Sequence, residues 1–117
     1  MRCFAKLVWR SAADGDFPAG SVLMKEFRLD GELFETRLFA RHSDNTWVGY
    51  SYEWNAAGTD ADLLFASKTK DIGGQSWTYP SRSQCLQCHT PAAGGSLGLE
   101  TQQLNRLHTY PGARIAN

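Results

Sequence analysis

Cysteine is scarce in this chain: three in 117 residues, too few for a disulfide scaffold. No apolar run approaches the length of a membrane-spanning helix. Neither sign of charge dominates, because twelve Lys and Arg balance twelve Asp and Glu. No net field therefore draws nucleic acid or anionic lipid, and no basic run forms a binding arm. A phosphate-cradling glycine motif is missing. Ser, His and Asp are scattered without the spacing of a hydrolase triad. No repeat or low-complexity segment breaks the chain. What remains is one domain, long enough to bury roughly two-thirds of its unfolded surface without staples.

The period of the apolar residues is two over much of the chain, which predicts strands. Residues 21–29 place Leu23, Phe27 and Leu29 on one face, interrupted by Lys25. Asp30-Gly31 is a tight-turn pair, so a hairpin follows. The next strand spans about 33–41, with Phe34, Thr36, Leu38 and Ala40 facing in and Glu35, Arg37 and Arg41 facing out. After a turn at Ser43-Asp44-Asn45, residues 46–54 form the most aromatic strand. Val48, Tyr50, Tyr52 and Trp54 share one face of it; Trp47, Gly49, Ser51 and Glu53 share the other. Residues 61–66 read as strand or helix, 68–75 as a loop, and 77–80 as a short extended piece ended by Pro80. Ser81 is a candidate N-cap for a helix over about 82–89, and 99–108 read as a second helix stopped by Tyr110-Pro111-Gly112. The predicted class is mainly β (α+β): an antiparallel β-sheet with short C-terminal helices. Residues 1–16 are set apart as an N-terminal segment before a single β-rich domain over 17–117.

Two of the three cysteines stand in Cys85-Leu86-Gln87-Cys88-His89, a complete C-x-x-C-H. That pattern suits c-type haem. Thiols three residues apart can reach both vinyl groups of one porphyrin, and the next residue, His89, can take the iron as its proximal imidazole. The first of the two helices would carry this motif. Such attachment happens outside the cytoplasm, while Met1 to Arg10 is too short and too broken by charge for a signal peptide. The expectation is therefore a piece of a longer exported protein, periplasmic or secreted in its parent form.

A late motif behind period-two strands, with no methionine after His89, resembles the cytochrome P460 and cytochrome c′-β group. Phe17-Pro18-Ala19-Gly20-Ser21 leading into Val22-Leu23-Met24-Lys25 is similar to that group's opening. A closer resemblance rests on Trp77 to Gln84, the motif itself, Gly98-Leu99-Glu100 and Gln103 to Arg106. These look like an uncharacterised family of bacterial di-haem c-type cytochromes, some of whose members are fused to sugar-dehydrogenase-like propellers. The resemblance implies the first haem domain of a larger protein. Its partner would be a redox protein or a second haem domain.

The sixth iron position divides electron transfer from gas-binding or peroxide-type chemistry. Candidates for it are Met24, His42 and His108, each with an ordinary alternative: strand packing, an exposed turn, and a helix C-terminus. The expectation is electron transfer rather than catalysis, with haem c as the cofactor. Three other readings stand beside it. One is a five-coordinate gas-binding or peroxide-type haem. Another is a structural domain held by zinc or a disulfide, with Cys3 joining Cys85, Cys88 and His89 in the zinc case. The last is a sugar-binding β module using Trp47, Tyr50, Tyr52 and Trp54.

Overall fold

The structure is a computed structural model. It describes the backbone of residues 2–8, 17–96, 108–110 and 113–115, with side chains over 17–96. An antiparallel meander builds the main sheet. Strands β1 (Arg2–Val8), β2 (Val22–Leu29), β3 (Glu32–Arg41), β4 (Trp47–Trp54) and β5 (Ala61–Leu64) pair in chain order. A separate hairpin, β6 (Lys68–Ile72) and β7 (Gln75–Tyr79), leads into helix α1 (Arg82–Cys88) and a 3-10 turn at Pro91–Ala93. Strands β8 (His108–Tyr110) and β9 (Ala113–Ile115) form a last small hairpin. The chain is thus mainly β and antiparallel, with one short α-helix among the described residues.

Turn chemistry sets the register. Asp30 and Gly31 both take positive φ, 51° and 90°, as a type I′ turn requires. The register then puts Leu23, Phe39 and Gly49 in one row, and Lys25, Arg37 and Ser51 in the next. These residues share one face of the sheet. Met24, Leu38 and Tyr50 share the other.

A bulge changes what alternation alone predicts. The β2–β3 register shifts between Phe27 and Arg28: Phe27 pairs with Glu35, while Arg28 pairs with Leu33. Phe34 is the extra residue, and a bulge of this kind re-aims a side chain. Phe34 consequently joins Phe27 in the core, alongside the buried Tyr79. The expected split of Phe34 inward and Glu35 outward therefore fails: Glu35 is fully buried.

One other expectation is corrected, and two more meet the described residues only in part. Residues 68–75 are not a loop: β6 and the start of β7 pair around Gly73-Gly74, whose φ values of 59° and 81° suit a tight hairpin turn. The polar Lys68-Thr69-Lys70 sequence hid a strand because most of its side chains face solvent. Within the segment set apart as 1–16, the described residues 2–8 form β1, which pairs with β2 from Arg2↔Arg28 to Val8↔Val22. Of the expected helix over 99–108, residues 99–107 lie outside the described ones, and His108 begins β8 instead.

Candidate functional site

Helix α1 is started by a capping box. The Ser81 hydroxyl accepts from the Gln84 backbone N–H, and the Gln84 side chain accepts from the Ser81 N–H. The helix packs on β4 through the smallest residue of that strand. A Cβ on Gly49 would lie 2.7 Å from Cys85 Cβ and 2.8 Å from its Sγ. A glycine in a strand interior marks such a close approach. Cys85 is half-buried there, while Cys88 is exposed, and both are free thiols. Burial pushes the Cys85 thiol above its ordinary value; the nearby Arg37 charge opposes this and Glu35 adds to it.

His89 caps the end of α1 and turns back onto the sheet. Its ring lies 4.1 Å, centroid to centroid, from that of Phe39. Phe39 in turn stacks on Trp47 at 4.8 Å with the rings 5° from parallel. Nδ1 of His89 is 2.8 Å from the Gly95 carbonyl. A carbonyl only accepts, so this partner assigns the proton to Nδ1 and leaves the Nε2 lone pair for another ligand. The following turn delivers that carbonyl. Thr90 accepts from Ala93, Gly95 N–H donates to Thr90 O, and Gly94 and Gly95 take φ of 77° and 74°. Gly95 is itself packed under Trp47, where a Cβ would meet the indole at 2.8 Å.

Next to this lies a buried charge network. Glu35 receives Arg37 Nε at 2.6 Å and a second guanidinium N–H at 3.0 Å. The Ser51 hydroxyl donates to it at 2.6 Å and the Trp77 indole N–H at 2.7 Å. Four donated hydrogen bonds satisfy a carboxylate that water cannot reach. Trp77 thereby ties β7, and the start of α1 just beyond it, to the sheet.

The structure brings Cys85, Cys88 and His89 together on one short segment. Met24 and His42 are not brought to them. Met24 is in register with Leu38 and Tyr50, on the face opposite Phe39 and His89. The His42 Nε2 meets Tyr50 Oη at 3.0 Å on that same opposite side. His108 lies in β8, and its side chain is outside the described residues. Cys3 sits on β1, three strand spacings or about 14 Å across the sheet from β4. Among the described residues, no three His, Cys, Asp or Glu groups converge on a metal position. The four aromatics of the sugar reading do not form one platform. Trp47 faces Phe39, while Tyr50, Tyr52 and Trp54 lie on the other face, where the Trp54 indole donates to Thr36.

Gly49, Phe39, Gly95 and the Glu35–Arg37 pair were not singled out as site residues in the sequence. A glycine amid aromatics, and Glu-x-Arg on an alternating strand, were the available signals. Comparison with protein-family models, with curated proteins and with solved structures gave no match.

Proposed function

We propose that this chain is a c-type haem domain serving electron transfer within a larger exported redox protein, the first haem domain of a di-haem cytochrome. Cys85 and Cys88 would each bond a vinyl carbon of the porphyrin, with the thiol hydrogen passing to the adjoining vinyl carbon. His89 would give its Nε2 lone pair to the iron. Bound haem supplies a one-electron couple. The observation that carries this reading is the His89 Nδ1 contact with Gly95 O directly beside two free thiols. Metal-bound imidazoles commonly donate the other ring N–H in this way, and the contact fixes both tautomer and ring orientation. Phe39 beneath the ring restrains it further. The partner is a redox protein or a second haem domain, and the setting is the periplasm or the exterior.

A second reading of the same site is a five-coordinate haem for small gases or peroxide-type chemistry. Its support is the placement of Met24 and His42 on the far face of the sheet.

Export of the chain alongside a haem-maturation system tests both. The expected product keeps its Soret absorption through acid–acetone extraction, and Cys85→Ala with Cys88→Ala abolishes that retention. A folded, colourless wild-type product would sink the haem reading. Carbon monoxide binding by the reduced protein without displacement of a sixth ligand selects the five-coordinate form.

A further inference from the structure

A cleft lies at the end of the sheet away from the Cys85–His89 motif. Its volume is about 630 Å³, within the range of small-molecule sites, and its walls include Glu26, Arg28, Glu32, Trp54, Ala57 and Lys70. Trp54 is five residues along β4 from Gly49, about 17 Å from the place where Cys85 packs. Hydrogen-bonded turns fix the rim. On one side Arg28 donates to the Gly31 carbonyl of the β2–β3 turn at 3.1 Å. On the other, the Asn55 side chain accepts from Thr59 N–H and the Asn55 carbonyl from Gly58 N–H, both at 3.0 Å. Ala56 and Ala57 in that loop carry little side chain, which leaves the space between the turns open.

The charged groups here are held loosely. Glu26 and Arg28 meet through one contact at 3.4 Å, and their side chains stay 26% and 34% exposed. Glu35, by contrast, is fully buried and receives four short donors. Glu32 is exposed and has no partner among the described residues, while Lys70 is committed to Glu53 at 2.9 Å. Trp54 leans across β3: its indole N–H donates to Thr36 at 2.9 Å, and Thr36 is the residue paired with Glu26. An aromatic ring and a carboxylate with spare acceptor sites thus meet on one row of the sheet.

From this set we infer that the cleft binds a neutral saccharide, with Trp54 as its stacking wall and Glu26 and Arg28 as hydroxyl partners. A carboxylate has several acceptor sites and a guanidinium several donors, so this pair keeps most of its hydrogen-bonding capacity. A free ion or zwitterion would have to part the two charges. A sugar hydroxyl, donor and acceptor at once, bonds to either and leaves the pair whole. The apolar C–H face of a sugar ring needs a flat apolar wall, and a half-buried indole presents one. A wholly apolar ligand would strip water from the charged groups without replacing its hydrogen bonds. The site draws on no residue of the haem motif and stands without the haem reading.

The test titrates the full chain with glucose, galactose, mannose, maltose and cellobiose, reading the Trp54 indole N–H resonance by NMR. At least one of these should shift it saturably, with a Kd on the order of 1 mM or tighter. Glu26→Ala removes an acceptor and should weaken that binding roughly tenfold or more. Ala57 is exposed, so Ala57→Phe fills the cleft without entering the core, and it should block binding while the rest of the amide spectrum stays in place. No shift with any of the five sugars overturns the inference. So does binding that Ala57→Phe leaves untouched, or a shift of equal size with inorganic phosphate or glycine betaine, which would mark a site for ions instead.

Discussion

The two ends of one sheet face are closed in different ways. At the β6–β7 end, Phe27, Phe34 and Tyr79 form the core cluster, and the Glu35 carboxylate is sealed behind Arg37, Ser51 and Trp77. At the α1 end the apolar bulk is a row of rings, Phe17, Trp47 and Phe39, with no buried carboxylate behind it among the described residues. Gly49 and Gly95 bring backbone close to Cys85 and Trp47, and stacked rings fill the space between. Leu86 and Cys88 are left exposed. One end is closed around a satisfied buried charge, the other by rings and close backbone approach. The second arrangement holds the Cys85 thiol and the His89 ring against the sheet while leaving Cys88 exposed. The first supplies the rigidity on which that placement depends.

The sharpest way to break this contrast is Arg37→Met. It leaves the Glu35 carboxylate buried without its cation, and removing one partner of a buried pair typically costs about 3–5 kcal/mol. Urea unfolding should report a loss of that size. A loss below about 1 kcal/mol, normal for an exposed pair, would mean that the closed end is not sealed by charge.

The next effect is alkaline. Burial first, then the Glu53 and Glu35 charges, pushes the Tyr79 phenol up from 10.0 to about 12. The folded value is the raised one, so this contribution is complete below pH 10 and is lost as pH climbs from 10 towards 12. A shift of this size corresponds to about 2–3 kcal/mol. Unfolding free energy measured across that window should fall more steeply in the wild type than in Tyr79→Phe. Parallel curves would place Tyr79 outside the sealed core.

The smallest effect sharpens the other side. Gly49→Ala drives a methyl into Cys85 and lifts α1, at about 1–2 kcal/mol for overpacking. Alkylation of Cys85 should then approach the rate of the exposed Cys88, whereas in the wild type it lags because the thiol is half-buried with a raised pKa. An unchanged ratio of the two rates would show that close approach does not hold this end.

Much of the β scaffold was legible from local patterns. Alternation in Val22–Leu29, Glu32–Arg41 and Trp47–Trp54 found three strands, Asp30-Gly31 found their first turn, and Ser81 marked the start of the helix. Lys68–Ile72 escaped because a mostly exposed hairpin strand carries no apolar stripe to read. Glu35 escaped for the opposite reason. A carboxylate reads as solvent-facing unless its donors are known, and Trp77 lies 42 residues further along the chain.

By itself, the sequence determined the strand period, the turn positions, the capped helix and the C-x-x-C-H spacing, because each depends on residues a few places apart. Tertiary structure alone decided which side of the sheet was covered. Period two creates two faces and ranks neither, so the choice fell to contacts between distant segments: Trp77 on Glu35, Cys85 on Gly49, His89 on Phe39. Met24 and His42 are left on the face of the sheet opposite the imidazole, an arrangement that depends on folding rather than on spacing along the chain.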